Sequence, residues 1–238
     1  MTDTVDTAGA AGSGATRFHE PHGLLLTRAD STGAFADATS QRLEFSSRGD
    51  RVPCRLVLPA SITASVPVVL LVGDAGAARD DACFDFAAEF AEQGIAVATL
   101  DLSLHGERTS PKFSERLFAA LGGAAALDDN GHALVGEFAA QSTSDLLRCF
   151  DVLGRHESID AQRMGMLGIG VGANLAARTA AGTDAVCTVA LFERAAPVDP
   201  SLDVETDIAG LAKGIVTESA GKPDSGVCAA FARAFAKR

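Results

Sequence analysis

Met164-Gly165-Met166-Leu167-Gly168-Ile169-Gly170-Val171-Gly172-Ala173-Asn174-Leu175-Ala176-Ala177-Arg178 decides how this chain is read. An apolar run leads into three glycines at alternate positions, and a helix-forming run follows. The pattern predicts a strand to Leu167, a tight turn, and a helix over Val171 to Thr179. The central residue of the turn, Gly170, has no side chain.

Outward from that turn, strand and helix signals alternate. Val66 to Val72 is a continuous apolar run, as expected of a strand buried on both faces. Asp80 to Gln93 is amphipathic and stops at Gly94, and Ile95 to Leu100 is the next buried strand. Val135 to Arg155 predicts a long helix and Ala185 to Phe192 a strand. Thr206 to Ala212, Gly214 to Thr217 and Val227 to Lys237 predict a short helix, a weaker strand and a last helix. Earlier, Arg42–Phe45 and Val52–Leu58 flank a Gly49-Asp50 turn and predict a hairpin. Strands alternating with helices imply βαβ units in a doubly wound, mainly parallel α/β sheet. Residues 1–17 read as a flexible tail, and residues 18–238 as one domain. A lid-like, less regular insertion is expected at about 107–133.

The 238 residues are 47% hydrophobic and 21% charged, an ordinary globular composition, with a net charge of −11. Such acidity disfavours nucleic acid and anionic membranes as partners. No apolar run approaches the ~20 residues that span a bilayer. The N-terminal stretch is acidic and small-residue-rich, unlike a signal or transit peptide, so a cytoplasmic location is expected. Cys54, Cys83, Cys149, Cys187 and Cys228 are scattered, which predicts reduced, buried thiols rather than disulfides or a zinc site. His19 and His22 have no spacing partner. No metal cluster is apparent and no cofactor is expected.

Four stretches together resemble the α/β-hydrolase superfamily, in its dienelactone-hydrolase and esterase-like branch. They are Phe45-Ser46-Ser47-Arg48-Gly49-Asp50-Arg51-Val52-Pro53, the run from Pro67 to Asp80, Asp101-Leu102-Ser103-Leu104-His105-Gly106-Glu107-Arg108, and Ile159-Asp160-Ala161-Gln162-Arg163-Met164-Gly165-Met166-Leu167-Gly168. The resemblance covers residues 40–238. It implies a sheet of the α/β-hydrolase type whose glycine turn is the G-x-S-x-G elbow, with Gly170 where the nucleophile stands.

Acyl transfer on that scaffold needs a nucleophile, a histidine base, an acid that orients it and an oxyanion hole. Gly170 supplies no nucleophile. The acid position, after the strand at Gly214, falls on Asp224, although Pro223-Asp224 is also an ordinary turn start. The histidine would follow one further strand, whereas the chain ends at Arg238, so the resemblance implies a sheet without its C-terminal strand and helix. The oxyanion-hole loop aligns with Gly73-Asp74-Ala75-Gly76-Ala77. Backbone N–H groups of Ala75 and Val171 are its expected donors, and the Asp74 carboxylate would oppose a developing oxyanion.

Loss of a triad member costs a factor of ~10⁴–10⁶ in rate. A pseudo-hydrolase with a binding, regulatory or assembly role is therefore expected. The alternative is a weak or unconventional carboxyl-ester hydrolase using His105 or a thiol. Glycine also relieves the backbone strain of the elbow, of order 1–3 kcal/mol for other residues. His105, with Glu107 and Arg108 beside it, is the candidate for residual chemistry; equally, it holds its loop by hydrogen bonds. Cys187 and Cys228 read as packing residues. Gly168-x-Gly170-x-Gly172 lacks the spacing of a dinucleotide fingerprint, since Leu175 stands at its third glycine. The expected partners are a small-molecule ligand or a protein, including a second copy paired through an open sheet edge.

Overall fold

In the computed structural model, residues 26–29, 38–123, 126–211, 214–219 and 225–237 are described; the tail expected at 1–17 lies outside them. Eight strands form one sheet: β1 (Leu26–Ala29), β2 (Ala38–Ser47), β3 (Asp50–Pro59), β4 (Val66–Val72), β5 (Ala96–Leu100), β6 (Ile159–Ile169), β7 (Val186–Phe192) and β8 (Gly214–Ser219). Their order is β1-β2-β3-β5-β4-β6-β7-β8. β1, β2 and β3 pair antiparallel, as do β3 and β5, and all pairs from β5 through β8 are parallel. The sheet is therefore mixed, with an antiparallel ribbon at one end of a parallel run. Among the described residues β1 and β8 are the edge strands.

Among the described residues the α-helices are α1 (Arg79–Glu92), α2 (Pro111–Leu121), α3 (Asp129–Leu153), α4 (Val171–Ala181), α5 (Glu205–Gly210) and α6 (Ser225–Phe235). They cover both faces of the sheet. Val68, Leu70 and Val72 of β4 join a core with Leu117 of α2, Leu146 of α3 and Leu175 of α4. Val69 and Leu71 point the other way, toward Phe90 of α1 and Phe231 of α6. That alternation is why the run over 66–72 is apolar throughout.

Three local readings change in the structure, each for an identifiable reason. The hairpin turns on Arg48 and Gly49, with Ser47 opposite Asp50, rather than on Gly49-Asp50. Both turn residues have positive φ, 48° and 80°, as a two-residue hairpin turn of the primed type demands. The long helix begins at Asp129 because Asp128 caps it, its side chain accepting from the Gly131 N–H. The cluster Asp128-Asp129-Asn130-Gly131 is thus a helix start rather than a loop. Residues 107–133, expected as an irregular lid, carry α2, which opens at Pro111 and buries Ser114, Leu117, Ala120 and Leu121.

The turn after β5 is anchored by Arg108. One guanidinium nitrogen donates to the Asp145 carboxylate at 2.7 Å and to the Asp101 carbonyl at 3.0 Å. Another donates to Asp50 at 2.6 Å. Asp145 is fully buried, and the Arg108 side chain is only 6% exposed. Burial pushes the Asp145 carboxyl upward, opposed chiefly by the neighbouring Arg108 charge. Glu107 adds its own N–H to Asp101 at 3.0 Å and a paired contact with Arg42 of β2. The D-x-x-x-H-G-E-R stretch therefore ties the hairpin, the β5 loop and α3 together.

Removing one partner of a buried pair strands the other charge, at a cost of about 3–5 kcal/mol. Arg108→Met is expected to lower unfolding stability by that amount in urea titrations at pH 7. Arg108→Met combined with Asp145→Leu should recover much of the loss. A cost below about 1 kcal/mol for Arg108→Met, the range of an exposed pair, would show that the pair anchors nothing.

Candidate functional site

At the end of β6 the backbone turns sharply into α4. Gly170 has φ 59° and ψ −126°, a conformation that side chains resist. Its N–H donates to the Phe192 carbonyl of β7 at 3.0 Å, and its own carbonyl accepts from Ala173 at 3.1 Å and from Ala195 at 3.3 Å. The strained turn is thus held on both sides by backbone hydrogen bonds. Two residues further, Gly172 lets α4 press onto the end of β4. A Cβ there would stand 2.3 Å from the carbonyl oxygens of Val72 and Gly73.

This close approach brings the loop after β4 over the start of α4. Asp74 Oδ1 accepts from the Val171 N–H at 2.8 Å and from the Ala75 N–H at 2.8 Å. Those are the two donors expected to form the oxyanion hole, and both point at the same carboxylate oxygen. A Cβ built on Gly170 would lie 2.1 Å from Asp74 Cγ. The Asp74 carboxylate therefore occupies the volume of a nucleophile side chain and uses the N–H groups that would bind an oxyanion. The positive end of α4 favours a carboxylate there.

His105 follows β5 and is buried. Its Nδ1 lies 2.8 Å from the Ser103 carbonyl, which can only accept, so Nδ1 carries the hydrogen. Nε2 is buried without a hydrogen-bond partner. The ring stacks on Phe138 of α3 and meets Phe118 of α2 edge-on, with centroids 5.6 and 4.8 Å away. Burial lowers its pKa, against opposing effects from the Ser103 carbonyl and the Asp101 charge. A neutral imidazole wedged between two phenyl rings is a packing group.

Asp224, the expected acid, lies outside the described residues. Cys54, Cys149, Cys187 and Cys228 are buried and unbridged. Burial and the neighbouring Glu89 push the Cys228 thiol up to about 12, and contact with Cys54 together with burial raises Cys149. Both remain thiols at neutral pH, a poor state for attack. Among the described residues no group of three or more His, Cys, Asp and Glu side chains is arranged to hold a metal. No described helix is long and apolar enough to cross a membrane.

A further pair had no signal in the sequence. His132, in the first turns of α3, places Nδ1 2.6 Å from Asp199 Oδ2, in the loop after β7. Asp199 Oδ1 accepts from the Ser201 N–H at 2.7 Å. Sixty-seven positions separate the two residues, so no local spacing could have joined them. Desolvation works to raise the Asp199 pKa, but hydrogen bonds from Ser201 and His132 outweigh it and hold the carboxyl below its usual range.

No protein-family model matches the chain, and no curated protein matches its sequence. Solved structures are similar in fold. Against an acetyl xylan esterase from Paenibacillus sp. R4 the TM-score is 0.56 at 15% identity, over 72% of this chain and 54% of that one. Against acetyl xylan esterase 1 from Thermoanaerobacterium sp. JW/SL YS485 it is 0.58 at 14% identity, over 89% and 67%. A cold-adapted esterase from an Arctic intertidal metagenomic library gives 0.52 at 19% identity, over 69% and 65%. The chain thus spans about half the length of the first of these enzymes. The fold is of the α/β-hydrolase type, with helices on both sides of a mixed sheet.

The lowered His105 pKa has a consequence for stability. The unfolded imidazole binds its proton near the ordinary value of about 6.5, and the folded one only at lower pH. The stability tied to neutral His105 is complete above about pH 6.5 and is lost as pH falls toward the folded value. Urea unfolding of the native chain should therefore show stability falling from pH 7.5 to 5.5, and His105→Phe should flatten that slope. An unchanged slope in the variant would mean that His105 is not held neutral.

Proposed function

We propose that this chain is a pseudo-hydrolase, a scaffold of the α/β-hydrolase type that does no acyl transfer at its elbow. Its role is then binding, regulation or assembly. One observation carries the reading: the Asp74 carboxylate sits on the Val171 and Ala75 N–H groups and in the volume that a residue-170 side chain would need. A tetrahedral oxyanion would have to displace an existing negative charge from the donors that should stabilise it. Gly170 offers no attacking atom, and the far nitrogen of His105 is closed off among aromatic rings. A small-molecule ligand or a protein partner fits such a scaffold. Pairing of two copies through an edge strand of the sheet is the assembly open to such a scaffold.

The esterases among the structural neighbours favour a second reading, a weak carboxyl-ester hydrolase. Variants at the elbow separate the two. Gly170→Ser is expected to cost about 1–3 kcal/mol through the positive φ, with a further penalty from collision with Asp74. Adding Asp74→Gly should remove the collision. Neither protein should gain hydrolysis of p-nitrophenyl esters, because a serine needs a base within reach. A gain of ~100-fold or more in either would show that a base reaches residue 170, and the hydrolase reading would replace this one.

A further inference from the structure

We infer that Cys54 and Cys149 form a two-thiol redox pair, which closes to a disulfide when the chain folds in an oxidising medium and which the folded core then shields from reduction. The inference does not rest on the pseudo-hydrolase reading.

The two sulfurs lie 4.0 Å apart, although 95 positions separate the residues in the chain. Both residues are fully buried. Cys54 sits inside the sheet, opposite Leu43 of β2 and Leu100 of β5. Cys149 belongs to the same core, with Leu146 and Phe150 of α3. A disulfide holds its sulfurs at about 2.05 Å, so the pair must close by about 2 Å. Each cysteine turns its sulfur about one torsion. Two hydrogens leave as the bond forms, so closure contracts the core and does not overpack it.

The backbone on either side is already tied. One turn before Cys149, Asp145 is joined through Arg108 to Asp50 at the start of β3. Next to Cys54, the Pro53 carbonyl accepts from the Asp101 N–H at 3.2 Å. β3 and α3 are therefore held across the two sulfurs before any bond joins them. Cys228 is placed differently. Its Sγ lies 3.7 Å from the Glu89 carboxylate, a charge that opposes the thiolate needed for exchange.

Burial decides when the pair reacts. Contact with Cys54 and desolvation keep Cys149 as the thiol, and a small oxidant does not reach either sulfur in the folded chain. Exchange therefore belongs to the open chain. The thiolate of one cysteine attacks a low-molecular-weight disulfide, such as oxidised glutathione, and one small thiolate leaves. The thiolate of the other cysteine attacks the protein sulfur of the mixed disulfide and expels the second small thiolate. The leaving thiolates take up the protons that the cysteines gave up. Two electrons pass from the cysteines to the small disulfide. Folding then buries the product, and it equally buries a pair that met no oxidant. The core thus records the redox state of the medium at folding. A crosslink over so long a loop restricts the unfolded chain strongly.

The test unfolds the full chain in urea with dithiothreitol and refolds it with either dithiothreitol or a mixture of reduced and oxidised glutathione. All five cysteines should titrate with Ellman's reagent in denaturant after the first refolding, and two fewer after the second. Peptide mapping by mass spectrometry should find the Cys54 peptide linked to the Cys149 peptide. The linked protein is expected to have an unfolding constant in urea at least ~30-fold smaller than the reduced one. Reduced glutathione should open the bond at least ~10-fold faster in unfolding urea than in buffer. In Cys54→Ala the stability difference between the two refoldings should vanish. If that variant does not fold, mapping and unfolding of the native sequence decide alone. Three results would overturn the inference: no Cys54–Cys149 linked peptide, an unfolding constant in the linked protein as large as in the reduced one, or reduction as fast in buffer as in urea.

Discussion

The backbone contact between α4 and the end of β4 controls the rest of the molecule's chemistry. With only hydrogen on the Cα of Gly172, the first turn of α4 rests against the Val72 and Gly73 carbonyls. Three elements, β4, β6 and α4, meet at a separation that no side chain could share. The Val171 N–H consequently opens onto the loop after β4. Protein interiors are close-packed and transmit such constraints. A helix set back by even a methyl group would carry the elbow away from Asp74.

Once that contact is made, the absence of an atom at residue 170 has a structural consequence as well as a chemical one. The vacated volume is filled from the neighbouring loop. A carboxylate supplies acceptors for two backbone donors, Val171 and Ala75, that would otherwise look for water or a ligand. The elbow keeps its strained dihedrals, held by the Phe192, Ala173 and Ala195 backbone bonds, without the reacting group that such strain ordinarily presents. The H-G-E-R turn also has a structural purpose. Its arginine joins Asp145 and Asp50, its glutamate meets Arg42, and its histidine packs between Phe118 and Phe138. These residues, the most suggestive of chemistry in the sequence, also hold the scaffold, while the buried Asp199 and its partner His132 come from segments that suggested none.

The architecture was legible where the signal is local. The apolar run over 66–72 states that both faces of β4 are covered, and it matches the strand to the residue. The glycine turn at 168–172 states a strand-to-helix elbow. Legibility failed where one residue type serves two local structures. Asp128-Asp129-Asn130-Gly131 has turn composition, yet an aspartate before a helix is equally a cap. Arg48 carries no sign of a turn residue in the sequence, because a positive φ at arginine has no compositional mark.

By itself the sequence determined the alternation of strands and helices, the sheet class and the missing atom at Gly170, because each follows from a run of neighbours or from one residue's identity. Only the tertiary structure decided what replaces that atom and where a histidine finds an acid. Asp74 meets Val171 across 97 positions, and His132 meets Asp199 across 67. Such contacts are set by how packed elements bring distant loops to one edge of a sheet, and spacing along the chain carries no record of that distance.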